Sequence, residues 1–219
     1  MLIEEAKWFG SKIFSMEIDQ TFPMIDIGSG NSKFREKEQP WIDEYIFKPA
    51  REKRQKVVHV DVKNAPGVDI VGDLSNIKFL NKLAGMEFKS VFCANFLEHI
   101  INREDVAMAI SSIIPSQGYI FVSCPYRYPY HTDPIDTLFR PDMLELASIF
   151  PDTKIIFGEI VTCRTYWEYI ARSPLVLIKT VIRILLPLYR PRRWFTALSH
   201  LPWVFKNFQS TCLVLRKTK

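Results

Sequence analysis

The chain has 219 residues, of which 47% are apolar and 13% aromatic, and its formal net charge is +5. This composition excludes a disordered chain and predicts one folded α/β domain with a sizeable core. The first twenty residues carry six charges and no apolar core, so we expect no signal peptide. Residues 1–22 are expected to form one covering helix without a chemical role.

The next segment, MIDIGSGNSKF at residues 24–34, organises the rest of the sequence. Its first four residues predict a short strand buried on both faces. Gly28-Ser29-Gly30 then predicts a sharp turn that brings backbone amides close to a ligand. A buried carboxylate needs partners, so we expect Asp26 to accept hydrogen bonds from the glycine loop or a cationic ligand. The pattern favours a nucleotide site over a plain turn with a surface acid.

The spacing of the glycines argues against a dinucleotide. The Gly-x-Gly-x-x-Gly fingerprint needs a third glycine for close helix packing, and Lys33 stands at that position. The following residues, 31–56, are polar and interrupted by Pro40 and Pro49, which predicts a short or irregular crossover. The alternative pattern, acid-x-Gly-x-Gly, is tested by the strands that follow.

Two of those strands end in an acid. VVHVD (57–61) ends in Asp61, one crossover after the glycine loop, where a carboxylate can bind both hydroxyls of a ribose. Residues 68–73 end in Gly-Asp, and Asp73 is suited to a position near an adenine amino group. The alternative for Asp61 is an acid that caps a turn.

The remaining strands and helices complete the predicted fold. Strands are expected at 89–94, 119–124, 154–161 and 211–215, with helices near 103–114 and 141–150. This alternation predicts a Rossmann-like, doubly wound, mostly parallel seven-stranded sheet with helices on both faces. Ligands of such sheets bind beyond the carboxyl ends of the strands. The four cysteines fall in predicted strands without CxxC spacing, which indicates buried thiols in a reducing compartment.

Four segments together resemble the class I S-adenosylmethionine-dependent methyltransferases: IDIGSGN, HVDVKNAPGVDIVGDL, FLEHI and the strand after Gly118. The resemblance covers residues 22–163. PYHTDPIDTLFRP (129–141) resembles the branch of this family associated with cell-surface polysaccharide and glycan modification. Two departures from the family pattern are Lys89, where an Asp often opens the fourth strand, and Lys33-Phe34, which replaces a small residue after the glycine loop.

The resemblance implies S-adenosylmethionine as the cofactor and assigns its binding residues. The glycine loop would hold the methionine half, the acid after the second strand the ribose, and the next residues the adenine. Residues after the fourth strand would lie beside the sulfonium. The methionine half would be held by Asp26, Gly28, Ser29 and Gly30, and the ribose by Asp61. The adenine would lie against Val62, Asp73 and Leu74, and the sulfonium beside Asn95 and Phe96.

A hydroxyl acceptor must lose a proton, so the resemblance implies a general base. The candidates are His131 and Asp133 in the loop after the fifth strand, and His99. His131 is preferred because this loop is expected over the methyl group and imidazole titrates in the useful range. The alternatives are that His131 bonds a loop carbonyl and that His99 packs the start of a helix. Asp136 and Arg140 are expected to brace the loop as an ion pair.

A metal ion is not predicted. Some RNA-methylating relatives use Glu-x-x-Glu-His to bind a divalent ion, but Asn95 stands at the first position here. Glu98 and His99 remain, with His131 as a third candidate ligand, and the loss of one charged ligand weakens a hard-cation site.

The last part of the chain is basic and apolar. From Arg164 onward there are eleven Lys and Arg against one acid, while residues 1–163 carry a net −5. The run 174–189 is too short to span a bilayer, and cations interrupt it. Aromatic residues mixed with arginines over 174–208 favour an anionic membrane surface or a lipid-linked substrate. A substrate lid and a homodimer surface are the alternatives, and nucleic acid is disfavoured.

The sequence therefore predicts a cytoplasmic enzyme, with peripheral membrane contact, that O-methylates a sugar of a surface glycan or its lipid-linked precursor. The alternatives are a small-molecule or lipid methyltransferase and an inactive cofactor-binding scaffold for membrane glycan enzymes. One domain spans 1–219: a covering helix (1–22), a cofactor-binding core (23–163), an insertion or lid (164–209) and a last strand with tail (210–219).

Overall fold

The computed structural model describes residues 1–131, 135–171, 178–179, 181–182, 194 and 201–219. Seven strands form one sheet in the order β3-β2-β1-β4-β5-β7-β6. In chain order they are β1 Met24–Ile27, β2 Val57–Asp61, β3 Ile70–Val71, β4 Ser90–Ala94, β5 Tyr119–Arg127, β6 Thr153–Thr165 and β7 Asn207–Lys217. β1 to β5 are parallel, and β7 runs antiparallel between β5 and β6. The predicted mostly parallel, Rossmann-like sheet is confirmed.

Helices cover both faces of this sheet because its strands are apolar on both sides. The helices are α1 Ile3–Ser15, α2 Ile18–Thr21, α3 Lys48–Glu52, α4 Ile77–Ala84, α5 Arg103–Ile113, α6 Met143–Ser148 and α7 Tyr166–Ala171. Alternate residues of each strand enter opposite cores. On β5, Ile120 and Val122 join the core formed with α4, α5 and α6. Tyr119 and Phe121 join the core formed with α1 and the segment 42–50.

Several boundaries differ from the sequence prediction. Residues 1–22 form two helices instead of one, and the irregular crossover contains two π-helical turns, Phe34–Glu38 and Asp43–Phe47, before α3. β6 and β7 pair from Thr153↔Lys217 to Thr165↔Asn207. This long ladder extends both strands into the range that the sequence assigned to an insertion, because cross-strand hydrogen bonds continue past the apolar positions from which strands are recognised.

The cysteines are free and buried in β4, β5, β6 and β7, and burial raises the pKa of each thiol. Within the described residues, no helix has the length and apolar character needed to cross a membrane. Most of the segment 174–208, and with it the predicted membrane, lid or dimer surface, lies outside the described residues.

Candidate functional site

The predicted site residues that the structure describes lie at or just beyond the carboxyl ends of parallel strands. The sheet order reverses between β1 and β4, so the loops that follow these two strands leave the sheet on opposite sides of a crevice. Ligands of open α/β sheets bind at such a point. The loops after β1, β2, β4 and β5 carry nearly all of the described residues of the candidate site.

The glycine loop has the backbone that its sequence predicts. Gly28 and Gly30 adopt positive φ angles of 69° and 62°, which residues with a Cβ rarely adopt. A Cβ on Gly28 would lie 2.6 Å from Cδ2 of Phe96. The loop after β1 and the loop after β4 therefore touch, and the bare backbone of the first lies against the aromatic ring of the second.

Asp61 joins the end of β2 to the glycine loop. The Gly30 amide donates to Oδ2 of Asp61 at 2.9 Å, and the Lys63 amide donates to Oδ1 at 2.9 Å. Each carboxylate oxygen can accept more than one hydrogen bond, so both retain capacity for the hydroxyls of a ribose. The side chain is half-buried, which leaves it within reach of a ligand at the crevice.

Asp26 has a partner that the sequence analysis did not name. Its carboxylate is buried, and Oδ2 lies 2.8 Å from Nδ1 of His59. The parallel register places Asp26 beside His59 on adjacent strands, so the two side chains share one face of the sheet. We expected the glycine loop or a cationic ligand to satisfy this carboxylate, and the structure shows that a neighbouring imidazole does so.

Arg35 binds backbone carbonyls of the glycine loop and of the loop after β2. Its buried guanidinium donates to the carbonyls of Ser29 at 3.0 Å and Gly30 at 2.9 Å through Nη1, and to that of Gly67 at 2.7 Å through Nη2. Three carbonyl acceptors on two loops fix the loop after β1 against the loop after β2. Arg35 could not be recognised from the sequence, because the run of charges around it, SKFREKE, is typical of a solvated surface.

The residues assigned to the adenine are arranged unevenly. Val62 is 63% exposed, and Asp73 is exposed with Oδ1 accepting the Ser75 amide at 2.9 Å. Leu74, in contrast, is buried and packs within the core beneath α4 and α5. Val62 and Asp73 are accessible to a ligand, whereas the Leu74 side chain belongs to the core.

Asn95 is held by the N-terminal helix. It adopts a left-handed backbone with φ 50°, and its Nδ2 donates to Oε1 of Glu5 at 2.8 Å. Glu5 is fully buried and also accepts hydrogen bonds from the hydroxyls of Ser123 on β5 and Ser210 on β7. The segment 1–22 therefore contributes a carboxylate beneath the site. No sequence pattern links Glu5 to residues that are 90 or more positions away.

Three titratable side chains cluster beside Phe96. One oxygen of Glu98, one ring nitrogen of His99 and one ring nitrogen of His131 all lie within 4.8 Å of one another. The His99 and His131 rings are 5.3 Å apart between centroids. The structure thus brings together the two histidines that the sequence proposed as bases, and it adds a buried carboxyl to them.

Glu98 is almost completely buried, and its Oε2 has no hydrogen-bond partner within the described part of the chain. Burial raises the pKa of this carboxyl from 4.5 to about 8. A carboxyl in this environment is protonated at neutral pH unless a cation joins it.

The loop after β5 is fastened to this cluster. Asp136 accepts two hydrogen bonds from the Arg140 guanidinium, at 3.0 and 2.5 Å, and one from the His131 amide at 3.2 Å. The ion pair that the sequence predicted is present. Although burial raises the pKa of Asp136, hydrogen bonds from Arg140 and two backbone amides outweigh it and lower that pKa. Asp133, the remaining candidate base, lies outside the described residues.

The fold is shared with solved structures of low sequence identity. One is a SAM-dependent methyltransferase from Anabaena variabilis: 11% identity, 99% of this chain and 86% of that one covered, TM-score 0.57. Another is the [4+2]-cyclase SpnF: 13% identity, coverage 97% and 81%, TM-score 0.59. A third is coclaurine N-methyltransferase bound to N-methylheliamine and SAH: 13% identity, coverage 95% and 70%, TM-score 0.50. No protein-family model and no curated protein sequence matches the chain. The chain has the fold found in SAM-dependent methyltransferases.

Proposed function

We propose that this chain is a methyltransferase that uses S-adenosylmethionine to O-methylate a sugar hydroxyl of a surface glycan or its lipid-linked precursor. The observation that carries the proposal is the junction of the glycine loop with Asp61 and Phe96 at the point where the strand order reverses. A nucleoside with a short charged tail fits bare backbone on one side and a ribose-binding carboxylate on the other. A Cβ on Gly28 would collide with the Phe96 ring, so this junction requires glycine.

The cofactor, when bound, supplies an activated methyl group. The protein has two tasks, to align the acceptor and to help remove its proton. Gly28, Gly30 and Asp61 would hold the cofactor at the crevice, and Asn95 and Phe96 would border its reactive end. The cluster of Glu98, His99 and His131 would receive the acceptor hydroxyl. In the overall reaction a C–O bond forms, the S–CH₃ bond breaks and one proton is released.

The sugar acceptor rests on the motif PYHTDPIDTLFRP and on the polar cluster that its His131 joins. A second candidate, a small-molecule or lipid acceptor, is favoured by the exposed apolar residues in the same loop, Tyr130, Ile135 and Leu138. Lipid-linked sugars would use both features. The basic, aromatic segment 174–208 would then contact the lipid surface.

The test is formation of S-adenosylhomocysteine from S-adenosylmethionine with free sugars, lipid-linked sugars and apolar alcohols as acceptors. We expect turnover with sugar acceptors and a rate about 10²- to 10⁴-fold lower in His131→Ala, without loss of cofactor affinity. Turnover only with apolar alcohols would mean that the acceptor is a small molecule or a lipid and not a sugar. A chain that binds the cofactor but gives no turnover with any acceptor, and no change in His131→Ala, would be a scaffold.

A further inference from the structure

The cluster beside Phe96 contains the donor set of a transition-metal site. We propose that Glu98, His99 and His131 bind one divalent transition-metal ion, of the kind represented by Zn²⁺. The site does not depend on the proposed methyl transfer, because ion binding can be measured without cofactor or acceptor. Its role in activating an acceptor does rest on the proposed function.

The geometry of the three ligand atoms favours an ion between them. They lie within 4.8 Å of one another, whereas ligand atoms around a tetrahedral Zn²⁺ are about 3.3 Å apart, given bonds of about 2.0–2.1 Å. Side-chain movements on the order of 1 Å would close this gap. All three residues are next to neighbouring parallel strands, with Glu98 and His99 just after β4 and His131 just after β5.

The ring of His99 is already oriented for an ion. Its Nδ1 contacts the carbonyl oxygen of Ile135, and because a carbonyl only accepts, Nδ1 must carry the proton. In the neutral ring, Nε2 then keeps its lone pair and lies 3.8 Å from Oε1 of Glu98. A histidine whose other nitrogen donates to a carbonyl is the usual arrangement in metal sites.

The loop that carries His131 is tied to the turn that carries Glu98. The amide and the hydroxyl of Thr137 both donate to the Glu98 carbonyl, each at 2.9 Å. Asp136 accepts the His131 amide and is held by Arg140. These contacts position the third ligand against the first two before any ion arrives.

The burial of the Glu98 side chain independently favours a bound cation. Its Oε2 is buried without a hydrogen-bond partner in the described ranges, and a buried carboxylate is costly unless a cation or donors join it. A divalent ion would provide that partner. One carboxylate and two imidazoles suit Zn²⁺ and similar ions better than Mg²⁺ or Ca²⁺, which prefer oxygen ligands.

Asn95 explains why the donor set has this composition. Its amide is bound to Glu5 and is therefore directed towards the floor of the site instead of the cluster. The ligands that remain are the buried carboxylate and the two rings. A metal site keeps a position for substrate when the protein supplies three ligands. The acceptor oxygen would bind at the fourth position, where the ion lowers its pKa and the proton leaves to water.

The test is titration of the full chain, freed of metal by dialysis against a chelator, with Zn²⁺ in a calorimeter. We expect one equivalent to bind, with affinity at least about 100-fold lower in Glu98→Gln and in His99→Ala. Glu104→Gln, an exposed carboxylate on α5, is the matched control and should bind as the wild type does. Mg²⁺ should give no comparable binding.

Co²⁺ provides a readout of the ligands themselves. We expect visible absorption typical of nitrogen and oxygen ligands, without the strong sulfur charge-transfer band that a cysteine ligand would add. Absence of one-equivalent Zn²⁺ binding, or binding that Glu98→Gln and His99→Ala leave unchanged, would overturn the site. The second outcome would mean that the ion binds elsewhere on the chain. If the wild-type chain binds Zn²⁺ but does not bind S-adenosylmethionine, the proposed function is overturned and the ion site is retained.

Discussion

In the metal-free protein, the stability of Glu98→Gln relative to the wild type should rise between pH 5 and pH 8. The buried carboxyl has its pKa raised from 4.5 to about 8 by desolvation, so the folded state holds one more proton than the unfolded state between these values. The free energy of unfolding of the wild type therefore falls as pH rises through this interval. A glutamine at the same position does not titrate.

The magnitude follows from the two pKa values. Each pH unit between them changes the difference in unfolding free energy by about 1.4 kcal/mol. From pH 5 to pH 8 the variant should gain about 3–4 kcal/mol relative to the wild type, since the slope weakens near each pKa; urea denaturation with a chelator present measures this gain. The exposed Glu104→Gln variant should follow the wild-type curve. If Glu98→Gln and the wild type change in parallel over this range, the carboxyl is not held protonated and our description of its environment is wrong.

Three further changes test the parts of the site that hold the two loops together. Gly28→Ala should abolish cofactor binding and lower stability by about 1–3 kcal/mol, since φ is 69° and the new Cβ would lie 2.6 Å from an aromatic ring. Gly85→Ala, where the nearest atom is 3.5 Å away, should stay within about 1 kcal/mol of the wild type in thermal denaturation. Arg35→Met should lower the free energy of unfolding by about 3 kcal/mol, because one buried and two partly buried hydrogen bonds to backbone carbonyls are lost; an unchanged urea midpoint would contradict this. Glu5→Ala should cost a similar amount, about 3 kcal/mol, because two buried hydroxyls and the half-buried Asn95 amide lose their acceptor, whereas Glu4→Ala at an exposed ion pair should cost less than about 1 kcal/mol. Equal effects of these two variants would mean that Glu5 is not the acceptor we describe.

The parts of the fold that the sequence predicted well are those specified locally. Apolar strands with glycines or acids at their ends identified the parallel strands and the residues beyond them, including Gly28, Gly30 and Asp61. Glycine permits the positive φ angles seen at Gly28 and Gly30, because it has no Cβ. The turn could therefore be recognised from the two glycines and their spacing.

The contacts that the sequence could not predict join distant positions. Asp26 meets His59 only because β1 and β2 pair in one particular register. Glu5 meets Asn95 only because α1 packs on the face of the sheet where Glu5 also binds Ser123 of β5 and Ser210 of β7. The sequence identified Glu98 only as a remnant of a metal-binding motif, whereas the burial of its unpartnered Oε2 appears only in the folded structure. Burial of this kind is a tertiary property and leaves no local pattern.

Binding of S-adenosylmethionine at the glycine loop and Asp61 is best tested by calorimetric titration. The ligands are S-adenosylmethionine, S-adenosylhomocysteine and NAD, and Asp61→Ala is the site variant. Asp105→Ala, an exposed acid on α5, is the control. We expect micromolar binding of both adenosyl ligands, loss of that binding in Asp61→Ala with the fold retained, and no change in Asp105→Ala. Binding that survives in Asp61→Ala, or tighter binding of NAD, would contradict this expectation.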